Sequence, residues 1–511
     1  MTDRQQEAID IALSGRNMFL TGGPGTGKTH TLLQVISALR LKNGTASVFV
    51  VAPTGVAALL IGGQTMHAVP GPGIVEGTTK KFSQMKTKTP KFWKKTKTLV
   101  VDEISMVPGD FFDFYVDAII SARNMLQPLQ LIVCGDFSQL PPVKNTKDAP
   151  SLANTGKYLA HCLKMSAISS NVPFGLMETL GHYAFQTFVW RNANFAVVEL
   201  LQSFRTCDSI LIKALTDIRA GIRMSENIDL LIASTSRELE EKTGIQPTRL
   251  FSMRHSVDDV NQAELQKLET KTEHTYNASD SIFVDPDVVS TAAKDRLSAD
   301  QFFNRHCPAA SSLVLRRGAQ VMCIQNEAPD GSSNRLVNGS RGVVVGFSKL
   351  PAHKRELDAQ DEPVLKGEYP LVIFDNGRTA LMTPKTFDRV IVGSGTLSRS
   401  QIPLTLAWAM TVHKCQGASI SRVVVDLENC FEPGMAYVAI SRAQTIDGLQ
   451  ITNFKPSSIK TSNLVAEFHA NLHSMDAFVK TSAWWDPILA HPDHRWRDTF
   501  LAHPLCRAAF K

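Results

Sequence analysis

The sequence predicts an α/β fold built on parallel sheets, and three observations indicate this class. Short apolar segments that read as buried strands occupy 17–21, 98–101 and 131–134, and each is followed by a polar or glycine-rich motif. After the first strand, apolar residues recur at helical spacing from Lys28 to Leu41. Strands that alternate with helices are typical of a doubly wound parallel sheet. Since the chain has 511 residues, we expect about three or four domains.

The most specific motif lies between the first strand and its helix, and it reads Gly22-Gly23-Pro24-Gly25-Thr26-Gly27-Lys28-Thr29. Glycine-rich loops of this spacing direct backbone N–H groups at a β-phosphate, and the following helix adds the positive end of its dipole. Lys28 would reach the β- and γ-phosphate oxygens, and the Thr29 hydroxyl would coordinate Mg²⁺. The loop therefore predicts a site for a nucleoside triphosphate and Mg²⁺.

The second strand ends in two adjacent acids, Asp102 and Glu103. Downstream of a phosphate-binding loop, such a pair suits nucleotide hydrolysis: Asp102 would hold Mg²⁺, and Glu103 would orient and deprotonate the attacking water. The alternative is a strand that ends in a solvated acidic turn.

The third strand runs into Gly135-Asp136-Phe137-Ser138-Gln139. Ligands of doubly wound sheets bind at the carboxyl ends of the strands, so Gln139 is placed to contact the γ-phosphate or the attacking water. The alternative is that its amide only bonds the backbone of its own turn.

Further motifs extend the pattern along the chain, at 51–58, 63–67, 102–107, 135–143, 200–205, 410–417 and 437–443. Together they resemble the motifs of superfamily-one helicases of the RecD type. The segment 103–124 resembles the signature element of the petite integration frequency (PIF) family of DNA helicases, which is more specific than the ATPase motifs. The resemblance covers residues 5 to 454.

The resemblance implies a domain organisation of two RecA-like P-loop NTPase lobes with two inserted subdomains. The first lobe would comprise 1–198, with a wedge inserted at about 68–98 and a further insertion at about 144–180. The second lobe would comprise 199–336 and 403–456, and an SH3-like β-barrel would occupy 337–402. In that last segment the β-branched residues and the turn Asp375-Asn376-Gly377 independently favour hairpins. The tail, 457–511, has no assigned role.

The resemblance also implies further site residues. Gln5 lies at the spacing of the family's adenine-reading glutamine, and its neighbour Gln6 is the alternative. Arg205 and Arg442 would supply guanidinium groups to the γ-phosphoryl group during transfer, although either could be a surface or salt-bridged arginine. Motifs that in the family contact single-stranded DNA, or link it to ATP, contain Thr54, His67, His413, Lys414, Gln416, Tyr437 and Ser441. The alternative for His67 and His413 is a structural histidine whose hydrogen bonds are satisfied.

A basic segment from Gly71 to Thr98 is a second candidate for nucleic-acid binding. It holds eight lysines against one acid, Glu76, with three interleaved aromatic residues. Dense lysines suit phosphate contacts, and aromatic rings suit base stacking. We assign these contacts to Lys91, Trp93, Lys94 and Lys95. The alternative is a solvated basic loop with locally packed aromatic residues.

Composition excludes some classes of protein. Apolar residues make up 43% and charged residues 20%, which excludes a disordered chain. The eight cysteines form no C-x-x-C pair, so we expect reduced thiols and no zinc site. The longest uncharged run, from Asn43 to Val75, is interrupted by prolines and glycines, so we expect no membrane span. Acids at Asp3 and Glu7 argue against a targeting leader.

We therefore predict an ATP-dependent DNA helicase that acts on single-stranded and forked DNA as a monomer, with protein partners unidentified. By resemblance it would move 5′ to 3′ and serve DNA repair, recombination or telomere maintenance in the nucleus or mitochondrion. Two other classes remain open. One is an ATP-gated clamp or scaffold on single-stranded DNA, and the other is an ATPase switch with a protein client.

Overall fold

The computed structural model describes residues 2–66, 91–122, 128–142, 183–241, 244–284, 303, 307–327, 336–349, 367–391 and 395–472. The chain divides into two compact units. The first comprises Met1–Phe204 and Thr461–Lys511, and the second comprises Arg205–Lys460.

The first unit is built on a parallel sheet of six described strands in the order β3-β2-β4-β5-β1-β6. The strands are β1 (Met18–Gly22), β2 (Val48–Ala52), β3 (Gln64–Thr65), β4 (Thr98–Val101), β5 (Gln130–Cys134) and β6 (Ala196–Leu200). The order places β5 between β4 and β1, so the three strands predicted from sequence are adjacent.

Helices cover both faces of this sheet, because successive strand residues point to opposite sides. The helices are α1 (Asp3–Leu13), α2 (Lys28–Asn43), α3 (Gly55–Leu60), α4 (Gly109–Ala122) and α5 (Phe188–Ala193). Met18 and Leu20 pack with α1 and α2 in one cluster, whereas Phe19 packs with α4 and α5 in another. The predicted α/β class with a parallel sheet is confirmed.

The second unit contains a parallel sheet of four described strands in the order β18-β7-β19-β20. These strands are β7 (Thr248–Phe251), β18 (Ala409–Thr411), β19 (Val423–Asp426) and β20 (Leu449–Thr452). Its helices are α6 (Ser209–Arg219), α7 (Glu226–Thr235), α8 (Arg254–Gln266) and α9 (Met435–Ile440).

Antiparallel strands make up the rest of the second unit. They are β8 (His274–Asn277), β9 (Ser279–Val284), β10 (Ser312–Leu315), β11 (Gln320–Cys323), β12 (Arg341–Lys349), β13 (Glu368–Phe374), β14 (Thr379–Leu381), β15 (Lys385–Ile391), β16 (Gly395–Gln401) and β17 (Leu404–Leu406). They form sheets in the orders β14-β13-β12-β11-β17, β15-β16-β9 and β10-β8.

The β-rich part of the second unit extends beyond the predicted bounds of 337–402. The five-stranded sheet includes β11, which lies before those bounds, and β17, which lies after them. The predicted hairpin at the turn 375–377 is present, since β13 and β14 pair antiparallel with Ile373 opposite Thr379. The described strands of this region form antiparallel sheets, and a closed SH3-like barrel remains a prediction.

The chain returns to the first unit after residue 460 and adds helix α10 (Asn463–Ala470) to its core. Val465, Phe468 and Leu472 are each buried in the same cluster as Phe19. Most of the predicted wedge, the 144–180 insertion and the tail beyond 472 lie outside the described residues. In the part of the chain that the structure describes, no helix is both long and apolar enough to cross a membrane.

Candidate nucleotide and DNA site

The glycine-rich loop joins β1 to α2, and its backbone conformation requires glycine at its first position, Gly22, and just before the helix, at Gly27. Gly22 has φ +147°, and a Cβ placed there would lie 2.4 Å from the Leu200 carbonyl oxygen. Gly27 has φ +83° and precedes α2 without a side-chain cap. The N–H groups of the first helical turn are therefore left for a ligand, and the helix dipole favours an anion there.

Lys28 directs its ammonium group into this loop. Its Nζ donates to the carbonyl oxygens of Gly22, at 2.8 Å, and Gly23, at 2.9 Å. Thr26 closes the loop by donating its hydroxyl to Gly23 at 2.8 Å. Pro24 and Gly25 lie between these residues in the sequence, and Thr29 follows Lys28 in the first turn of α2 with an exposed side chain. A cation and an exposed hydroxyl thus stand side by side at the helix N-terminus.

Asp102 and Glu103 follow β4 at the same edge of the sheet. Asp102 is 5% exposed and accepts a hydrogen bond from the Glu103 N–H at 2.9 Å. Burial raises the pKa of Asp102, while the Glu103 N–H, the Cys134 thiol and Lys28 act in the opposite direction. Buried and close to a cation, this carboxylate is suited to hold Mg²⁺.

Cys134 is a member of this site that sequence reasoning missed. Parallel pairing of Val101 with Val133 brings the end of β5 beside Asp102, and the Cys134 thiol donates to that carboxylate. Burial raises the pKa of Cys134 well above its ordinary range, and the negative Asp102 acts in the same direction. The thiol therefore remains a protonated donor. In the sequence, this residue stands out only as the last position of a predicted strand and as one of the scattered cysteines.

Gln139 lies in a tight turn after β5. It is 5% exposed, and its N–H donates to the Asp136 carbonyl at 2.9 Å. The turn begins at Gly135, whose N–H donates to the Leu20 carbonyl of β1 at 3.1 Å. Gln139 therefore lies just after β5, the strand that neighbours β1 and its glycine-rich loop, as the sequence predicts.

Gln5 and Phe204 both approach the loop at Gly27. A Cβ placed on Gly27 would lie 3.2 Å from Gln5 Nε2 and 3.5 Å from the Phe204 ring. The other amide atom, Gln5 Oε1, accepts from the Thr2 N–H at 2.9 Å. Gln6 instead donates to Asp10 on the exposed surface of α1, so the structure favours Gln5.

Phe204 is the second residue that sequence reasoning missed. Its ring is 56% exposed, and its N–H donates to the Gly25 carbonyl at 2.7 Å. An exposed aromatic ring fixed beside a nucleotide loop is suited to stack on a base. Its place just before Arg205 in a recognised motif was the available signal.

Arg205 and Arg442 are neighbours within the second unit. Arg205 donates to the Ser419 hydroxyl and to the Ser441 carbonyl, each at 2.8 Å. Arg442 is 2% exposed and donates to the Val438 carbonyl at 2.9 Å. Burial, and then the positive charge of Arg442, lower the pKa of Arg205 to about 9. A half-buried guanidinium beside a buried one favours an anionic ligand.

Apart from Trp93, the predicted DNA contacts of the first unit divide into three groups. Lys94 and Lys95 are exposed on a short 3₁₀-helix, Lys91–Lys95. Thr54 is half-buried, and its hydroxyl accepts from the Ala57 N–H at 3.2 Å at the start of α3. His67 and the side chain of Lys91 lie outside the described residues.

Trp93 corrects the prediction that a base stacks on this 3₁₀-helix. The side chain is 1% exposed and belongs to the core of the first unit. Its ring lies 4.8 Å from that of Phe49 and 6.2 Å from that of Tyr115. Since no face of the indole is open, Trp93 stabilises the fold and is not a stacking platform.

In the second unit, three of the five predicted DNA residues have accessible side chains. His413 Nε2 lies 3.3 Å from Glu432, Lys414 is exposed, and Gln416 is half-buried. Partial desolvation, and then the positive charge of Arg254, lower the pKa of Lys414.

Tyr437 and Ser441, the other two predicted DNA residues of the second unit, have buried side chains. They are 2% and 1% exposed, respectively, in and after α9. The Ser441 hydroxyl donates to the Val438 carbonyl at 2.9 Å and accepts from Arg442 at 2.8 Å. Both residues are enclosed, and Ser441 orients Arg442, so the structure contradicts direct DNA contact by either side chain.

Two family models match the chain. Residues 1–168 match the model described as PIF1-like helicase. Residues 302–347 match the model described as DNA helicase Pif1, 2B domain.

Similar proteins extend the match over most of the chain. The ATP-dependent DNA helicase PIF1 of Xenopus laevis is 34% identical over 94% of this chain, which spans 66% of that relative, slightly less than two thirds of its length. The crystal structure of Pif1 helicase from Candida albicans is 30% identical, with a TM-score of 0.66 over 92% of this chain and 99% of that one. The Bacteroides Pif1 helicase in complex with ADP-AlF3 and ssDNA is 25% identical, with a TM-score of 0.59 over 93% of this chain and 97% of that one.

Proposed function

This chain belongs to the PIF1-like helicase family, and we propose that it is an ATP-dependent DNA helicase that hydrolyses ATP to move along single-stranded DNA. The observation that carries the proposal is the meeting of three motifs at one edge of the first sheet. Lys28, Asp102 and Gln139 follow the adjacent strands β1, β4 and β5. A cation, a carboxylate and an amide in that arrangement suit phosphoryl transfer.

The residues at this edge fit ATP with Mg²⁺. The Lys28 ammonium lies in the loop and the start of α2 has no side-chain cap, so we expect both to contact the phosphates, while Gln5 and Phe204 would contact the base. Thr29 and Asp102 offer the oxygen ligands that Mg²⁺ prefers. Bound there, Mg²⁺ would neutralise charge on the β- and γ-phosphates. Glu103 would accept a proton from the attacking water, and Gln139 would orient that water or the γ-phosphate.

Arg205 and Arg442 both belong to the second unit. In our proposal, Arg205 and Arg442 stabilise the negative charge that develops on the γ-phosphoryl group. Arg442 is buried and Arg205 is half-buried, and the mutual repulsion of their guanidinium groups supports this role. Lys28 belongs to the first unit, and we expect hydrolysis to require these arginines in addition to it.

The proposed substrates are single-stranded and forked DNA, which the chain would unwind in the 5′ to 3′ direction. Membership of the family and the exposed Lys94, Lys95 and Lys414 support the choice of DNA as the substrate, whereas the direction rests on the resemblance of the motifs alone. We also propose that the chain serves repair, recombination or telomere maintenance, in the nucleus or mitochondrion.

ATP hydrolysis measured with and without single-stranded DNA tests the proposal. We expect DNA to stimulate hydrolysis and Lys28→Ala to lower kcat by about two orders of magnitude or more, because it removes a phosphate-binding cation. Lys42→Ala, at the exposed end of the same helix, is the matched control and should retain full activity. Normal turnover in Lys28→Ala would overturn the site, and hydrolysis indifferent to DNA would favour an ATPase switch.

A further inference from the structure

Asp136 organises the turn that carries Gln139. The aspartate is fully buried. Its carbonyl oxygen accepts from the Gln139 N–H at 2.9 Å, and its carboxylate Oδ1 accepts from the Ser138 N–H at 3.2 Å. One residue therefore holds both backbone N–H groups of the turn, so the position of the Gln139 side chain depends on the position of Asp136.

A histidine from the far end of the chain lies beside the same carboxylate. His469 Nε2 is 3.6 Å from Asp136 Oδ1, and the histidine side chain is 17% exposed. A buried carboxylate is costly unless donors or cations surround it. The imidazole is placed to stabilise the charge of Asp136 and to restrain its carboxylate.

Helix α10 holds His469 rigidly, because the preceding residue is anchored in the aromatic core. The Phe468 ring stacks on that of Phe185, with centroids 4.4 Å apart. It also meets the Phe137 ring edge-on at 5.2 Å. Phe137 and Asp136 are consecutive in the turn, so α10 contacts the turn through two adjacent pairs of residues.

We propose that His469 is a positioning residue for Gln139 and acts through Asp136. The inference rests on the proposed function, since Gln139 is there assigned to the γ-phosphate or the attacking water. It gives a role to the first part of the tail, which the sequence left unassigned. The residues that follow the second unit along the chain would then be required for hydrolysis in the first.

A double-mutant cycle on the full chain tests this inference. His469→Leu removes the ring nitrogens at similar volume, and we expect kcat of DNA-stimulated ATP hydrolysis to fall about tenfold with little change in KM, because a displaced group loses reactivity more than binding. His469→Gln retains an N–H donor and should keep kcat within about twofold. Glu467→Ala, exposed on the same helix, is the control and should behave as the unmodified protein.

The cycle separates positioning from a merely structural role. If His469 acts through Gln139, the double variant His469→Leu with Gln139→Ala should be no slower than Gln139→Ala alone. Losses that multiply would overturn the inference, as would an unchanged kcat in His469→Leu. Full activity in Gln139→Ala would overturn the role of Gln139 and this inference with it. Full activity in Lys28→Ala would instead overturn the proposed function itself.

Folding is checked in the same experiment by circular dichroism and thermal unfolding. If His469→Leu does not fold, His469→Ala replaces it in the cycle, at a temperature where its near-ultraviolet spectrum matches that of the unmodified protein. The same two outcomes, a shared reduction in kcat or reductions that multiply, then decide the inference.

Discussion

Glu103 holds a backbone conformation that residues with long side chains rarely adopt. Its φ is 49° and its ψ is 45°. The other described residues with positive φ that are not glycine are both asparagines, Asn194 and Asn453. Left-handed backbone costs a residue of this kind about 1–2 kcal/mol. Strain of this size is retained at functional sites, and here it turns the chain directly after Asp102.

One substitution separates the chemistry of the Glu103 side chain from its shape. Glu103→Gln preserves the shape of the side chain and removes its ability to accept a proton. We expect kcat to fall by about 10²–10⁴-fold, the usual contribution of a general base, while ATP binding survives. Fluorescent-nucleotide titration and steady-state hydrolysis measure the two effects.

The matched control is Glu7→Gln, which changes an exposed side chain on α1 that pairs with Arg4. It should alter neither binding nor hydrolysis. If Glu103→Gln turned over at the rate of the unmodified protein, Glu103 would not be the base.

At the scale of elements, the 3₁₀-helix Lys91–Lys95 presents two different faces. Trp93 points into the core, whereas Lys94 and Lys95 are exposed. The sequence left this division open, because dense lysines with interleaved aromatic residues suit either base stacking or local packing of the rings. The burial of Trp93 depends on Phe49 and Tyr115, which belong to other elements.

The two faces predict opposite effects of substitution. Trp93→Ala should lower the free energy of unfolding by about 3–5 kcal/mol, as for other buried aromatic residues, and urea unfolding measures it. Replacing Lys94, Lys95 and Lys97 by alanine should leave stability unchanged and weaken single-strand binding. The log–log salt slope should fall by about 0.7 for each DNA phosphate that the variant no longer neutralises.

Alanine at the exposed Lys267, Lys271 and Lys385 removes the same charge from the second unit and serves as the control. An unchanged affinity and slope in the first triple variant would show that the lysines beside Trp93 are only solvated.

Motif residues could be predicted from the sequence because their geometry is local. The loop at Lys28 and the acids at Asp102 and Glu103 each lie within a few residues of a strand end, and the order of strands then brings them together. Cys134 and Phe204 were missed because their roles depend on contacts with Asp102 and Gly27, which are distant in sequence. Only tertiary structure shows such contacts.

At the scale of the whole molecule, the chain leaves the first unit after Phe204 and returns at Thr461. The sequence predicted two lobes but ended the second at 456 and left the tail unassigned. Periodicity alone did not identify α10, because its eight residues are too few for a strong helical pattern. Its packing against Phe137 and Phe185 places it in the first unit.

If ATP hydrolysis by this chain drives unwinding of DNA, as we propose, strand separation on forked substrates will depend on ATP and on Lys28. One duplex carries a 5′ single-stranded tail and the other a 3′ tail, with Lys28→Ala and omission of ATP as controls. We expect the unmodified protein to unwind only the 5′-tailed duplex, and only with ATP. We expect Lys28→Ala to unwind neither duplex. Unwinding of only the 3′-tailed duplex would contradict the direction of movement. DNA-stimulated hydrolysis with neither duplex unwound would contradict the helicase and indicate an ATP-gated clamp.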